Sequence, residues 1–215
     1  MKKDIAFVFD FDGTIGETIP LAVEAFLKAL DSFELPVPSI TELKKYFGPC
    51  ELGVLKNFSS DLGEDLFKSY LSFYKEFHKK FSPTPYEKID SILKNIKSKS
   101  YRLGLITGKS AESLQISLEE YGLHGIFDVM HAGSPKGSVK PEKMRLVCEE
   151  WNMSPSKIYY IGDSPSDIIE SKEVGLIPIA VSWSSIVSAE NLTALSPYKH
   201  FDKVSDFEAW IDSVI

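Results

Sequence analysis

The sequence predicts an α/β fold: a doubly wound, mostly parallel sheet with helices on both faces and an all-helical segment inserted after the first strand. Two observations carry this. From residue 86 onward, short apolar runs of strand length alternate with longer stretches whose apolar residues recur at helical spacing. Between residues 17 and 82 the alternation is missing, and only helical patterns occur. The size agrees, because 215 residues with 43% hydrophobic and 26% charged content suit a core domain carrying a smaller one.

Taken in order, Ile5-Ala6-Phe7-Val8-Phe9 is an unbroken apolar run, the pattern of a strand buried on both faces. Thr18 can cap a helix expected to reach about residue 33, with Leu21, Ala25, Phe26, Ala29 and Leu30 at helical spacing, until Pro36 and Pro38 stop it. Short helical patterns follow at 41–47 and 51–58, then a longer one at 65–80. Ser82-Pro83-Thr84-Pro85 is a rigid connector and marks a boundary. Beyond it the spacing predicts a helix at 86–97, a strand at 103–107, a helix at 111–121 ended by Gly122, and a strand at 127–131. A helix at 141–151 with proline at its first position, a strand at 157–161, a helix at 165–174 and a strand at 177–181 complete the series. Ser205 and Glu208 have capping-box spacing for a final helix.

In such a sheet, ligands sit at the carboxyl ends of the strands. Those ends supply Asp10 and Asp12, Thr107 with Gly108, Lys140 beyond the third strand, and Asp163 after Gly162. Asp167 follows in Ser164-Pro165-Ser166-Asp167, a capping box whose structural role does not exclude a second one. These residue types suit phosphoryl transfer. A carboxylate such as Asp10 can attack phosphorus, and a neighbouring acid, Asp12, can protonate the leaving oxygen and then activate water. Magnesium bridges carboxylate and phosphate oxygens and suppresses their repulsion. Lys140, the Thr107 hydroxyl and the Gly108 amide can bind the non-transferring oxygens, so that with Asp12 they are the groups that meet the phosphate.

Asp10-Phe11-Asp12-Gly13-Thr14, Thr107-Gly108, Lys140-Pro141 and Gly162-Asp163-Ser164-Pro165-Ser166-Asp167 together resemble the four ordered motifs of the haloacid dehalogenase superfamily. The resemblance implies a Rossmann-like core at 1–16 and 83–215, and a helical cap at 17–82 like that of the phosphoglycolate phosphatase-like branch. It implies Asp10 as nucleophile and Asp12 as acid and base. Magnesium would be held by Asp10, the Asp12 backbone carbonyl and Asp163, with Asp167 in the outer shell. An acid at position 12 disfavours the dehalogenating members and the ion-pumping ATPases. A phosphomonoester hydrolase for a small organic phosphate is the expectation, with a sugar-phosphate mutase and a nonenzymatic binding module as alternatives. Glu17, Tyr86-Glu87-Lys88 and Trp183-Ser184-Ser185 depart from the usual family pattern near the hinge and outer loops.

A net charge of −7 argues against nucleic-acid or acidic-membrane partners bound through a broad basic face, leaving a small phosphorylated molecule as the expected partner. Cys50 and Cys148 lack CxxC spacing and read as buried reduced thiols. The apolar run after Met1-Lys2-Lys3 ends at Asp10, too short for an export signal, so a cytoplasmic setting is expected. Thr107-Gly108-Lys109-Ser110 contains the end of a P-loop, but the earlier glycine falls at 104, one residue out of register. His78, His124, His131 and His200 show no metal-site spacing. Lys44, Lys45 and Lys56 are within the helical segment as solvated lysines or partners of a second substrate anion.

Overall fold

Strand β1, Ala6–Phe9, is buried at every residue, as an apolar run in the middle of a parallel sheet must be. The computed structural model describes residues 3–215; Met1 and Lys2 of the opening segment lie outside the described residues. The further strands are β2 (Arg102–Ile106), β3 (Val129–His131), β4 (Ile158–Gly162), β5 (Ile177–Val181) and β6 (Lys199–Phe201). Among the described residues they form one sheet in the order β3-β2-β1-β4-β5-β6, with every pair parallel. The strand order reverses beside β1, which pairs with both β2 and β4, and this is where an open α/β sheet leaves a crevice for ligand.

Side-chain alternation along β1 sorts the two helical layers. Phe7 and Phe9 enter a core with helices α5 (Ile89–Ser98), α6 (Ala111–Glu120) and α10 (Val204–Val214), where Phe9 meets Phe207 edge to face at 6.1 Å. Ala6 and Val8 face α7 (Lys140–Trp151), against Met144, Val147 and Trp151. Helix α8 (Pro165–Val174) lies beside α7, and the short α9 (Ala189–Thr193) packs on α8. Each large apolar side chain buried this way contributes about 2 kcal/mol.

Between β1 and α5 the chain forms α1 (Ile19–Asp31), α2 (Ile40–Leu43), α3 (Glu51–Lys56) and α4 (Gly63–Phe81). These helices share an apolar cluster of their own, in which Leu21, Phe26 and Leu30 of α1 meet Leu66, Tyr70 and Tyr74 of α4. The Phe26 and Tyr70 rings are 4.6 Å apart. The segment meets the sheet-flanking layer through polar groups: the Tyr74 hydroxyl lies 2.8 Å from Ser117 Oγ on α6, and His78 Nε2 lies 3.1 Å from the same atom. Burial and the nearby Lys109 ammonium push His78 down to about 4, so the imidazole at this junction is neutral.

Several boundaries depart from the sequence expectations. Helix α1 ends at Asp31, and Thr18 precedes it without a side-chain cap, because its hydroxyl is used elsewhere. Helix α5 begins at Ile89, since the Tyr86 amide is pinned to the Ile15 carbonyl at 2.9 Å. Strand β3 is shorter at its start: Phe127 is buried in the core before the pairing begins. The capping box at Ser205 does not form. Helix α10 starts at Val204, which packs on the core ahead of Phe207, and Ser205 Oγ turns to Asp206 instead. Strand β6 and helix α9 were not expected; both are short, and β6 lies at the sheet edge with Lys199 exposed. Of the two thiols, both free, Cys50 is buried and Cys148 only half-buried, a correction to the expectation for the latter. Among the described residues no helix is long and apolar enough to cross a membrane.

Candidate active site

Phe9 of β1 stands opposite Ile161 of β4, and the Asp10 amide donates to the Ile161 carbonyl at 2.8 Å. Continuing the ladder in this way brings Asp10 and Asp163 to the same edge. Asp10, Asp163 and Asp167 are all buried, and one carboxylate oxygen from each lies within 4.8 Å of the other two. Gly13 makes room for them: it has a φ of +75°, and a Cβ there would fall 1.9 Å from Asp163 Oδ2. Gly162 has the same function beneath, where a Cβ would lie 2.5 Å from the Asp167 carboxylate.

Asp167 forms the expected capping box. The Ser164 amide donates to Asp167 Oδ2 at 3.1 Å, and the Asp167 amide donates to Ser164 Oγ at 3.2 Å. Its other oxygen accepts from Lys140 Nζ at 2.6 Å and from the Tyr160 hydroxyl at 3.2 Å. The Lys140 ammonium also lies 3.1 Å from Asp10 Oδ2. Asp167 therefore supports Lys140 from below, and unlike Asp10, Asp12 and Asp163 it does not line the cavity above.

Crowding of acids sets the electrostatics. Burial pushes Asp10 up to about 7; Lys140 opposes the shift, while Asp167 and Asp12 reinforce it. Burial, then Asp10 and Asp167, hold Asp163 well above the usual carboxylate range. Burial alone would lower Lys140, but Asp10 and Asp167 hold its ammonium well above its ordinary value. Asp10 Oδ1 is buried and accepts no hydrogen bond. A cluster of hard oxygen donors with an orphaned carboxylate oxygen fits a divalent cation such as magnesium.

The Asp12 carboxylate is not among the three that cluster, and its partners come from other groups. Asp12 Oδ1 accepts from the Thr18 hydroxyl and, at 3.2 Å, from Lys109 Nζ. Lys109 is almost completely buried, 4.4 Å above the Tyr74 ring centre and 3.7 Å from Glu51 Oε1. Burial would lower this ammonium, yet Asp12, Tyr74 and Glu51 keep it above its ordinary value. Glu51, at the start of α3, also accepts from the Ser110 amide and the Ser113 hydroxyl, each at 2.5 Å, tying the helical segment to the start of α6. Lys109, Glu51 and Thr18 were not expected at the site. The Gly-Lys-Ser triplet was the one available signal for Lys109, and it pointed to a different motif.

Thr107 and Gly108 follow β2 and line the same cavity, of about 400 Å³, as Asp10, Asp12, Lys140 and Asp163. The Thr107 amide donates to the His131 carbonyl at 3.0 Å, which fixes the turn. The structure thus gathers Asp10, Asp12, Thr107, Gly108, Lys140 and Asp163 around one space, with Asp167 behind it. The three departures from the family pattern also meet one another. Glu17 accepts from the Tyr86 hydroxyl at 2.7 Å, the Ser184 hydroxyl at 2.9 Å and the Ser185 amide at 3.2 Å, while Trp183 Nε1 donates to the Thr14 carbonyl. The longer acid thus reaches groups on two other loops.

A parallel sheet in this order, with carboxylates and a lysine converging at its switch point, defines an α/β phosphate-chemistry scaffold. The chain belongs to the haloacid dehalogenase-like hydrolase family, whose model matches residues 7–181. It is therefore a family hydrolase of the phosphatase type. Among curated relatives, pyrophosphatase PpaX of Bacillus velezensis is 26% identical over 209 residues, covering 95% of each chain. Among solved structures, a haloacid dehalogenase-like hydrolase from Streptococcus pneumoniae has a TM-score of 0.75 at 22% identity, covering 96% of this chain and 97% of that one. CbbY from Rhodobacter sphaeroides, solved with phosphate, has a TM-score of 0.78 at 18% identity, covering 95% and 96%.

Proposed function

We propose that the chain is a magnesium-dependent phosphomonoester hydrolase that works through a phosphoryl-Asp10 intermediate on a small organic phosphate. One observation carries the reading: Asp10 and Asp163 are buried together beside the Lys140 ammonium, with Asp10 Oδ1 unpartnered. An orphaned carboxylate oxygen at a cavity floor suits a nucleophile or a cation ligand, and the two oxygens of Asp10 allow both. Asp10, the Asp12 carbonyl and Asp163 would hold magnesium. When bound, the ion neutralises the crowded acids and polarises a phosphoryl oxygen.

The chain's own residues divide the remaining work. Asp10 attacks phosphorus as the bond to the leaving oxygen breaks, and Asp12 delivers a proton to that oxygen. Asp12 then takes a proton from the water that attacks phosphoryl-Asp10, which releases inorganic phosphate and restores Asp10. Lys140, the Thr107 hydroxyl and the Gly108 amide hold the non-transferring oxygens. Thr18 and Lys109 both engage Asp12 Oδ1, which leaves proton movement to Oδ2. The helical segment at 17–82 serves as a cap over the core at 1–16 and 83–215, sheltering the reaction from water. The free thiols are in keeping with a cytoplasmic setting.

A panel of metabolite phosphomonoesters assayed with and without magnesium tests the reading. Inorganic phosphate released only when magnesium is supplied supports it. Isomerised hexose phosphate without phosphate release makes the protein a mutase, and no turnover makes it a binding module.

Thermal unfolding supplies a second test. Asp10 and Asp163 have folded-state values above their unfolded ones. For Asp10 the stabilisation is therefore complete below 3.8 and is lost as pH rises through about 7. Magnesium at about a hundred times its Kd should then raise Tm by about 5–10 °C at pH about 8. The shift should shrink near pH 5, where Asp10 holds its proton; equal shifts at the two pH values would contradict the assignment.

Lys109→Met is expected to lower kcat by about 10²-fold by releasing Asp12 from its position. Unchanged kcat would remove Lys109 from the account.

A further inference from the structure

The part of the cavity lining that comes from the helical segment is mostly apolar: Ile19, Ala22 and Phe26 from α1, Phe47 and Pro49 before α3, and Val54 within α3. Among the described residues that line the cavity, the cations are Lys109 and Lys140, and both are already matched to carboxylates. Lys44, Lys45 and Lys56, the sequence candidates for a second substrate anion, do not line it; Lys56 bonds Glu64 at 2.8 Å. Two further carboxylates do line it: Glu51, and Glu170 with its Oε2 buried and unpartnered. An anion against those apolar side chains would lose its water and find no cation that is not already paired.

We infer that the substrate is a phosphomonoester of an uncharged, apolar alcohol, whose body packs against Phe26 and Phe47 while its phosphate meets Lys140. The inference rests on the hydrolase reading and deepens it. It separates this chain from the substrate in the name of its PpaX relatives, because pyrophosphate carries a second phosphate anion where this cavity offers hydrocarbon. It equally disfavours phosphoglycolate, whose leaving group bears a carboxylate. An apolar wall cannot hydrogen-bond a charged group, so discrimination comes from leaving that group unpaired.

The test compares kcat/KM, with magnesium, for benzyl phosphate and 4-carboxybenzyl phosphate, which differ in charge but little in leaving-group reactivity; phosphoglycolate and pyrophosphate complete the panel. Benzyl phosphate should exceed each of the three anionic substrates by about tenfold or more. Phe47 lines the cavity and is 41% exposed, so in Phe47→Lys the ammonium can stay in water while it borders the cavity. It should raise the 4-carboxybenzyl to benzyl ratio by about tenfold. Preference for 4-carboxybenzyl phosphate or phosphoglycolate over benzyl phosphate overturns the inference and leaves the hydrolase reading standing, whereas preference for pyrophosphate overturns both the inference and the phosphomonoester reading. An unchanged ratio in Phe47→Lys also counts against it. No phosphate release from any member overturns the hydrolase reading, and the inference with it.

Discussion

Asp10→Asn is expected to lower kcat by about 10⁴-fold or more while leaving the fold intact. The amide has the shape of the carboxylate but is a far poorer nucleophile toward phosphorus. Retention of the fold follows from the electrostatics. Asp10 is a buried acid pushed up to about 7, so removing its charge relieves repulsion with Asp163 and Asp167. Lys140 keeps Asp167 as a partner at 2.6 Å. The variant should therefore unfold no more easily than the parent above neutral pH in the absence of metal. Circular dichroism and thermal unfolding check the fold, and phosphate release checks the activity. A loss smaller than about tenfold would mean that Asp10 does not attack phosphorus.

Asp12→Asn should lower kcat by about 10²–10⁴-fold, with a dependence on leaving group that identifies the role. An alkoxide leaves poorly unless it is protonated, whereas 4-nitrophenolate leaves without help. The loss in the first chemical step should therefore be larger for benzyl phosphate than for 4-nitrophenyl phosphate. The second step suffers for both, since the same carboxylate activates water. Burst kinetics with 4-nitrophenyl phosphate should show the phenolate released ahead of inorganic phosphate. Equal losses for the two esters, with no burst, would remove Asp12 as the acid.

The sheet and the catalytic edge were legible because their signals are local. An unbroken apolar run ending in Asp10-Phe11-Asp12-Gly13-Thr14 is both a buried strand and a carboxylate pair, and parallel pairing dictates that β4 carries Asp163 to the same edge. Ser164 and Asp167 announced a capping box, and it formed. Groups whose role depends on distant contacts were not legible. Lys109 is immobilised by Asp12, Glu51 and Tyr74, which come from three separate segments. Glu51 reads as an ordinary first-turn acid of a short helix, yet its oxygens bond Ser110 and Ser113. Thr18 reads as a helix cap and instead binds Asp12. At Ser205 a local capping signal lost to packing, because Val204 and Phe207 both anchor α10 on the sheet. Strand β6 is too short and too exposed for alternation to reveal it.

The central claim is that phosphoryl transfer passes through Asp10. Rapid acid quench of Asp12→Asn during turnover of 4-nitrophenyl phosphate, followed by peptide mapping, tests it most directly. The account predicts an acyl phosphate, cleaved by hydroxylamine, on the peptide containing Asp10. Phosphoryl label on another residue, or turnover with none on the protein at any time before the steady state, would contradict it.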